Sequence, residues 1–369
     1  MIKYWNNMNI LRKRKKIDYD NLFISNKNPN FHIDKKYNYQ YENFSGNEIK
    51  KISNFYNNNY TVYGNSNINQ VNVDDINRYL NSCYELVTIK NSSQIIGCMF
   101  SIYLPMKINI SINKNKNEDS EIFEHIKSKD SIIFAYSSFL VLHYKYRGKG
   151  LGMSIIQKSL NIGYDKGCIG AYFINSVSRC DNSIPLFSWN FIFNFEKLDP
   201  LNNIYSNNHR KLFNIKENKN IIVEKVNNEN LKKSYNFYNS YCENKKFYFS
   251  PNYEYWEKWV KIFPTYIVFE NNKIIGVFCF ENKWIYHTKS RNYIYTGHLV
   301  TCIGEQPKIL NSALTTGKNI FDYLVMYEIG DLNKNILSNV NAQQTAKNFI
   351  NFYNTTIRLK SDEIFIPIF

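Results

Sequence analysis

The residues best placed to do chemistry lie in one stretch, Ser138-Phe-Leu-Val-Leu-His-Tyr-Lys-Tyr-Arg-Gly-Lys-Gly-Leu-Gly152. Ser138 to Leu142 reads as a short buried strand. Arg147, Gly148, Lys149, Gly150 and Gly152 follow as a basic, glycine-rich turn. Leu151, Ile155 and Ile162 then recur at helical spacing. Strand, glycine turn and helix together make an anion site. Glycines let backbone N–H groups approach phosphate oxygens, and a helix N-terminus adds positive potential. Arg147 and Lys149 add full charges. The spacing is neither the P-loop pattern, which ends in Lys-Ser or Lys-Thr, nor Gly-x-Gly-x-x-Gly. A plain turn beside a surface strand is the bland alternative. The strand before, the helix after and the leading arginine favour the phosphate reading. His143, between strand and turn, reads as a structural histidine satisfied by hydrogen bonds rather than as a base. Cys168 and Cys180 have no neighbouring base or cation cluster, so they read as buried small side chains rather than as nucleophiles.

The rest of the chain must position that stretch. Its 369 residues are enough for about two domains. Formal charge is +15, from 46 Lys and Arg against 31 Asp and Glu. That balance suits phosphorylated partners, and it equally reflects compositional drift in a chain crowded with Asn, Lys, Ile and Tyr. No aromatic-basic recognition motif accompanies the charge, so no nucleic-acid partner is expected. The seven cysteines include no Cys-x-x-Cys pair, which argues against zinc and disulfides and for a reducing compartment. No metal site is expected. Met1 to Ile10 lacks the apolar core of a signal peptide, and no apolar run reaches membrane-spanning length. A cytoplasmic monomer is the expectation.

Along the chain, a basic run from Arg12 to Lys16 and an extended arm to about residue 45 come first. Helices are predicted over 46–60 and from Val73 to Cys83. A hairpin follows, with strands Leu86 to Ile89 and Gln94 to Ile102. A further strand is predicted around Lys107 to Ile112, then a charged loop, Asn113 to Asp130. Ser131 to Tyr136 leads into the central strand. The stretch Tyr266 to Phe280 then repeats the pattern of Val87 to Ile102: strand, polar turn, Ile-Ile-Gly, apolar strand. Tyr253, Trp256, Trp259 and Val260 supply a helix before it. An internal repeat at this distance implies two copies of one mixed α/β domain. The second copy carries Leu310 to Gly317 and Phe321 to Tyr327 where the first has its glycine turn.

Arg-Gly-x-Gly-x-Gly after a strand resembles the pyrophosphate loop of the GNAT acyltransferase superfamily, which binds acyl-CoA. A closer resemblance runs along most of the chain. Ser138-Phe-Leu-Val-Leu-His143 with Tyr146 to Gly152 is similar to the Asn-Phe-Leu-Cys-Val-His…Leu-Arg-Ser-Lys-Arg-Leu-Ala signature of glycylpeptide N-myristoyltransferases. Lys3-Tyr4-Trp5 resembles that family's N-terminal Tyr-Lys-Phe-Trp. Trp189 with Asn194 to Leu198 resembles its Trp-His-Arg-Ser-Leu-Asn-Pro-Lys-Lys-Leu. Phe321-Asp322 with Glu328, and Phe352-Tyr353-Asn354, match later motifs in the same order. The drift and trimming suit a divergent viral or parasite copy.

The resemblance implies a fold of two tandem GNAT-like domains, each a mostly antiparallel sheet flanked by helices. It implies an arm over 1–45 that contacts the cofactor, an acyl-CoA domain over 46–205, and an acceptor domain over 220–369. The implied reaction moves a myristoyl group from myristoyl-CoA to the amine of a protein's N-terminal glycine. The N–H groups of Phe139 and Leu140 would hold the thioester oxygen, and the terminal carboxylate of Phe369 would take the amine's proton. Lys3, Tyr4, Trp5, Phe139, Leu140, Val141, Arg147, Gly148, Lys149, Gly150, Leu151 and Gly152 would bind the cofactor. Phe173, Ile174, Trp189, Asn190 and Val325 would meet the acceptor. Ser138, Ile174, Asn190 and Val325 replace the family's Asn, Thr, His and Asn, and the family's acidic run and late Gly-Asp-Gly loop are missing. A shorter acyl-CoA, or acyl-CoA binding without turnover, are the alternative readings.

Overall fold

The computed structural model describes residues 36–44, 46–60, 67–80, 84–109, 131–176, 178, 182–202, 215, 220–287, 292–353 and 359–368. In chain order the elements are β1 (Asn38–Gln40), α1 (Gly46–Asn59), β2 (Asn67–Gln70), α2 (Val73–Leu80), β3 (Tyr84–Asn91), β4 (Gln94–Ile108), β5 (Ile132–Leu142), α3 (Leu151–Asp165), β6 (Cys168–Asn175) and β7 (Ile184–Ile192). Then come α4 (Phe195–Asn202), β8 (Ile221–Lys225), α5 (Leu231–Cys242), β9 (Phe247–Phe249), α6 (Tyr253–Ile262), β10 (Thr265–Glu270), β11 (Lys273–His287), β12 (Asn292–Gly304), α7 (Lys308–Lys318), β13 (Tyr323–Tyr327), α8 (Lys334–Asn339), β14 (Gln343–Tyr353) and β15 (Ile364–Phe365). The mixed α/β, mostly antiparallel class expected from the sequence is what forms.

Two compact units result, and neither is one continuous piece of chain. The first takes the described residues up to Tyr60, Asn72–Pro185 and Asn348–Leu359; the second takes those of Thr61–Val71, Leu186–Lys347 and Lys360–Phe369. In the first unit the strand order is β1-β3-β4-β5-β6-β14. Only the β5–β6 step is parallel among these pairs. A parallel step needs a crossover, and α3 supplies it. The apolar stripe Leu151, Ile155 and Ile162 seats α3 on Val87, Ile89, Ile96 and Met99. In the second unit the order is β7-β13-β12-β11-β10-β8, with β2 beside the end of β11 and β15 parallel to β9. Here α7 makes the crossover between the parallel strands β12 and β13. It packs through Ile309, Leu310, Ala313 and Leu314 on a core that includes Val268, Phe278, Phe280 and Leu324.

The repeat is visible in the hydrogen-bond register. In the first hairpin Ile89 faces Gly97 while Lys90 faces Ile95, so Ile96 is an extra residue. In the second, Val268 faces Gly276 while Phe269 faces Ile274, so Ile275 is extra. The glycine beside each bulge has the same task. A Cβ on Gly97 would stand 2.6 Å from Ile155 Cδ1 of α3, and one on Gly276 would stand 2.3 Å from Ile309 Cδ1 of α7. Each Ile-Ile-Gly is therefore the seat of an isoleucine from the crossover helix. The last strands are exchanged. β7 follows β6 in the chain yet pairs with β13, while β14 follows β13 yet pairs with β6.

Some boundaries differ from the sequence reading. The start of the strand predicted around Lys107 to Ile112 is the end of β4, which runs unbroken to Ile108 and pairs with β5 from Gly97 to Met106; residues 110–112, like the predicted charged loop Asn113 to Asp130, lie outside the described residues. The lead-in from Ser131 and the central strand are one strand, β5. The second helix spans Val73–Leu80, and residues 81–83 lie outside the described residues. The end of the expected extended arm forms β1, tied by Lys90 Nζ to Gln40 Oε1 at 2.5 Å and to Glu48 Oε1 at 2.8 Å.

Candidate active site

In the first unit the stretch singled out by sequence becomes a bulge, a cap and a helix N-terminus. Cys98 faces Val141 and Phe100 faces Ser138, so Phe139 and Leu140 together stand opposite Met99. Such a bulge takes a residue out of the ladder and re-aims its backbone. Amide groups released this way are available to a developing negative charge. The Leu140 side chain is 40% exposed, whereas Val141 is buried. Ser138 Oγ, one residue earlier, is buried with no hydrogen-bond partner among the described residues.

After β5 the chain turns tightly. His143 N donates to Ile96 O at 2.9 Å, and His143 Nδ1 accepts from Lys145 N at 3.3 Å. The ring also stacks on Tyr144. Nδ1 is thus an acceptor, which leaves Nε2 as the donor nitrogen of the ring. Arg147 Nε donates to Leu142 O at 3.0 Å and its Nη2 to Asn59 O at 2.8 Å. Its guanidinium therefore pins the turn to the ends of β5 and α1 while keeping its charge there. Gly148 and Gly150 have φ of +76° and +80°, where a side chain would be strained. Gly150 is the N-cap residue of α3 and has no side chain with which to bond the first turn. The first amides of a helix have no carbonyl of their own, so those of Leu151 and Gly152 have no acceptor within α3. Lys149 is exposed, its Nζ 5.4 Å from the Tyr146 ring.

Of the other sites read from sequence in this unit, Phe173 and Ile174 lie on β6, opposite Asn351 and Ile350. Asn351 is fully buried and accepts from Ser183 Oγ at 2.7 Å while donating to Asn175 Oδ1 at 3.1 Å. Burial pushes the Cys168 thiol up to about 12, with nearby Lys166 opposing only in part, so it is an inert thiol. Cys180, Lys3, Tyr4, Trp5 and Phe369 lie outside the described residues.

The second unit presents a polar sheet face. Asn190 faces Val325, Val325 faces His298, and His298 faces Glu281, so one row crosses β7, β13, β12 and β11. Strand alternation adds Lys283, Thr296, Tyr323 and Tyr327 to that face. Asn190, Val325, His298 and Lys283 are all half-buried. The opposite face of the same strands, with Trp189, Leu324, Met326, Leu299 and Phe280, is sealed in the apolar core. Trp189 is therefore a core side chain, and its neighbour Asn190 carries the polar face. His298 Nδ1 lies 3.2 Å from Tyr327 Oη. Burial, and then the nearby Lys283, holds the imidazole well below its ordinary value, so it is neutral at neutral pH. Burial pushes the Tyr327 hydroxyl up. The sequence reading reached Asn190 and Val325 and missed His298 and Glu281. Their signal is Glu281-x-Lys283 and Thr296-x-His298, polar residues at strand period inside otherwise apolar strands.

The C-terminal segment is held in the same unit. Lys245 Nζ donates to Asp331 Oδ1 at 2.8 Å and Asp362 O at 3.2 Å; Lys246 Nζ donates to Glu363 Oε1 at 2.6 Å. Gly330 N donates to Ser361 O at 2.9 Å. Ile364, Phe365, Ile366 and Ile368 are buried.

No family model matches the sequence, and no curated protein sequence matches it. The structure is similar to that of Saccharomyces cerevisiae N-myristoyltransferase with bound myristoyl-CoA, with a TM-score of 0.75 at 13% identity over 97% of this chain and 93% of that one. A second structure of that enzyme with myristoyl-CoA gives 0.68 at 13% identity over 89% and 80%. A third, with myristoyl-CoA and inhibitors, gives 0.69 at 13% identity over 98% and 94%. At such identity the likeness is one of architecture: this chain has the mixed α/β, mostly antiparallel fold of those acyltransferase structures.

Proposed function

We propose that this chain is an N-acyltransferase of the N-myristoyltransferase type, which moves a myristoyl group from myristoyl-CoA to the amine of an N-terminal glycine. The observation that carries the reading is the β5 bulge at Phe139–Leu140, followed within one turn by an uncapped, glycine-rich helix N-terminus. The first suits a thioester oxygen and the second suits CoA phosphates, and both occur in a fold similar to an enzyme solved with myristoyl-CoA.

In this reading Gly148 to Gly152 and Lys149 hold phosphate, with Arg147 keeping the turn in shape. Val141 anchors the strand behind the bulge, and Lys3, Tyr4 and Trp5 belong to an arm that covers the cofactor. The amides of Phe139 and Leu140 take up the charge that grows on the carbonyl oxygen as the amine attacks. The carbon–sulfur bond then breaks and CoA leaves. The ammonium must first lose a proton, and the carboxylate of Phe369 receives it. The clamped turn Ser361 to Glu363 and the buried run Ile364 to Ile368 lead up to that last residue and support the reading. Asn190 and Val325 line the acceptor side, with Trp189 supporting them from the core; Phe173 and Ile174, on β6, are assigned to the acceptor as well. The apolar Ile174 and Val325 at positions where the family carries polar groups narrow the acceptors to a restricted set of glycine-starting polypeptides.

The test is acyl transfer to a glycine-starting peptide, read by mass, from myristoyl-CoA and from acetyl-CoA. Preferential myristoyl transfer is expected. Faster acetyl transfer would assign a short-chain enzyme. Tight acyl-CoA binding without product would assign a binding protein.

A further inference from the structure

The polar face of the second unit contains a carboxylate that its surroundings do not satisfy. Glu281 is 2% exposed, and neither of its oxygens accepts a hydrogen bond from a described residue. Lys283 Nζ stands 2.8 Å from Oε2. That is ion-pair distance, but the approach lacks hydrogen-bond alignment, so the charge is compensated while the lone pairs are not. A carboxylate offers about four acceptor sites, and burying them without donors is unfavourable. A built-in ion pair that serves only stability would be expected to fill them.

The surroundings say what would fill them. His298 is the direct cross-strand neighbour of Glu281, and its Nδ1 is engaged with Tyr327 Oη at 3.2 Å. The imidazole adds a hydrogen-bonding nitrogen and, being neutral, no competing charge. Val325 and Asn190 continue the row, and the half-buried members open it to solvent. A negative, donor-poor seat at the end of such a row rejects phosphate and carboxylate. It accepts a compact cation with several N–H donors, and Lys283 already places one such group against it.

We propose that Glu281, with His298 beside it, is the seat of a primary ammonium presented by the acceptor polypeptide, and that the Lys283 ammonium fills the seat when no acceptor is bound. The inference rests on the reading of this face as the acceptor side. The ammonium belongs either to the acceptor's amino terminus or to a lysine side chain.

The experiment is chemical rescue of the full chain carrying Lys283→Met, which empties the seat. Thermal melting is followed in glycinamide, which has a primary ammonium, and in glycolamide, which has a hydroxyl in its place. Glycinamide should raise the melting temperature of Lys283→Met more than that of the unsubstituted protein, and glycolamide should not. Adding Glu281→Gln should abolish the difference. Equal responses to the two compounds overturn the proposal. If Lys283→Met does not fold unaided, refolding yield in the two compounds reads the same contrast. A second measurement separates the sources: anisotropy with a free glycine-starting peptide lacking lysine, and with an N-acetylated peptide carrying one lysine. The peptide whose affinity falls about tenfold or more on Glu281→Gln names the source, and no loss for either overturns the proposal. Neither assay involves acyl-CoA or turnover. Absent acyl transfer would therefore count against the proposed activity without altering the ammonium contrast, and a lost contrast would overturn this inference without altering the activity.

Discussion

Leu140→Pro tests the oxyanion role of the β5 bulge with little else disturbed. Proline removes one backbone N–H and fixes φ in the range an extended strand already uses. Inside a ladder that loss would break a strand-pairing hydrogen bond, which a central strand rarely tolerates. At a bulge proline is tolerated, because the extra residue is outside the ladder. The Leu140 side chain is 40% exposed. A fully buried leucine contributes about 1.5–3 kcal/mol, and proline keeps much of the carbon that Leu140 buries, so the folding penalty should stay near 1 kcal/mol. Loss of one oxyanion donor, by contrast, lowers kcat by about 10²–10³, or roughly 2.7–4 kcal/mol in the transition state. The two effects therefore separate. Single-turnover myristoyl transfer should fall by about two orders of magnitude or more, while myristoyl-CoA affinity changes little, because the amide engages charge that exists only in the transition state. Val141→Pro is the contrast. Val141 is buried and paired with Cys98, so that variant should lose its fold. A folded Leu140→Pro protein that binds acyl-CoA and turns over near the normal rate would remove the Leu140 amide from the mechanism.

Three further outcomes are expected. Gly97→Ala should destabilise the first unit by about 1–3 kcal/mol, since its Cβ would meet Ile155 Cδ1 at 2.6 Å; urea titration reads it, and Ile155→Val should recover part of the loss. Two residues appended after Phe369 should remove most of the transfer rate with acyl-CoA affinity intact, and an unchanged rate would exclude the terminal carboxylate as base. Acidification should weaken the fold through His298: its folded pKa lies below the unfolded one, so the stabilisation is complete above about pH 6.5 and is lost as pH falls through the folded value. His298→Gln should flatten that acid limb in melting scans, and an unaltered limb would show the imidazole to be uninvolved.

How much of this was legible from the residues depended on whether the signal was local. The turn at Arg147 to Gly152 was readable because strand, glycines and helix follow one another within a few residues. The repeat was readable because Ile-Ile-Gly recurs beside the same polar turn, and the structure supplies the reason, an isoleucine seated on each glycine. The bulge at Phe139–Leu140 was not legible, since it is defined by the register against Cys98 and Phe100, some forty positions away. His298 and Glu281 escaped for the same reason: each looks like a stray polar residue in an apolar strand until pairing puts them in one row. The role of Trp189 was misleading for a local reason. Adjacent strand residues point to opposite faces, so Asn190 belongs to the polar face and Trp189 to the core.

The exchange of β7 and β14 has a consequence for how the protein is made. Asn175 and its partner Asn351 are 176 positions apart, so the N-terminal sheet has an unclosed border while almost half of the 369-residue polypeptide is synthesised. Closure over so long a loop is slow, and an exposed strand border invites pairing with other chains. A protein cut after β6 should therefore aggregate, and co-expression of the missing C-terminal piece should restore its solubility.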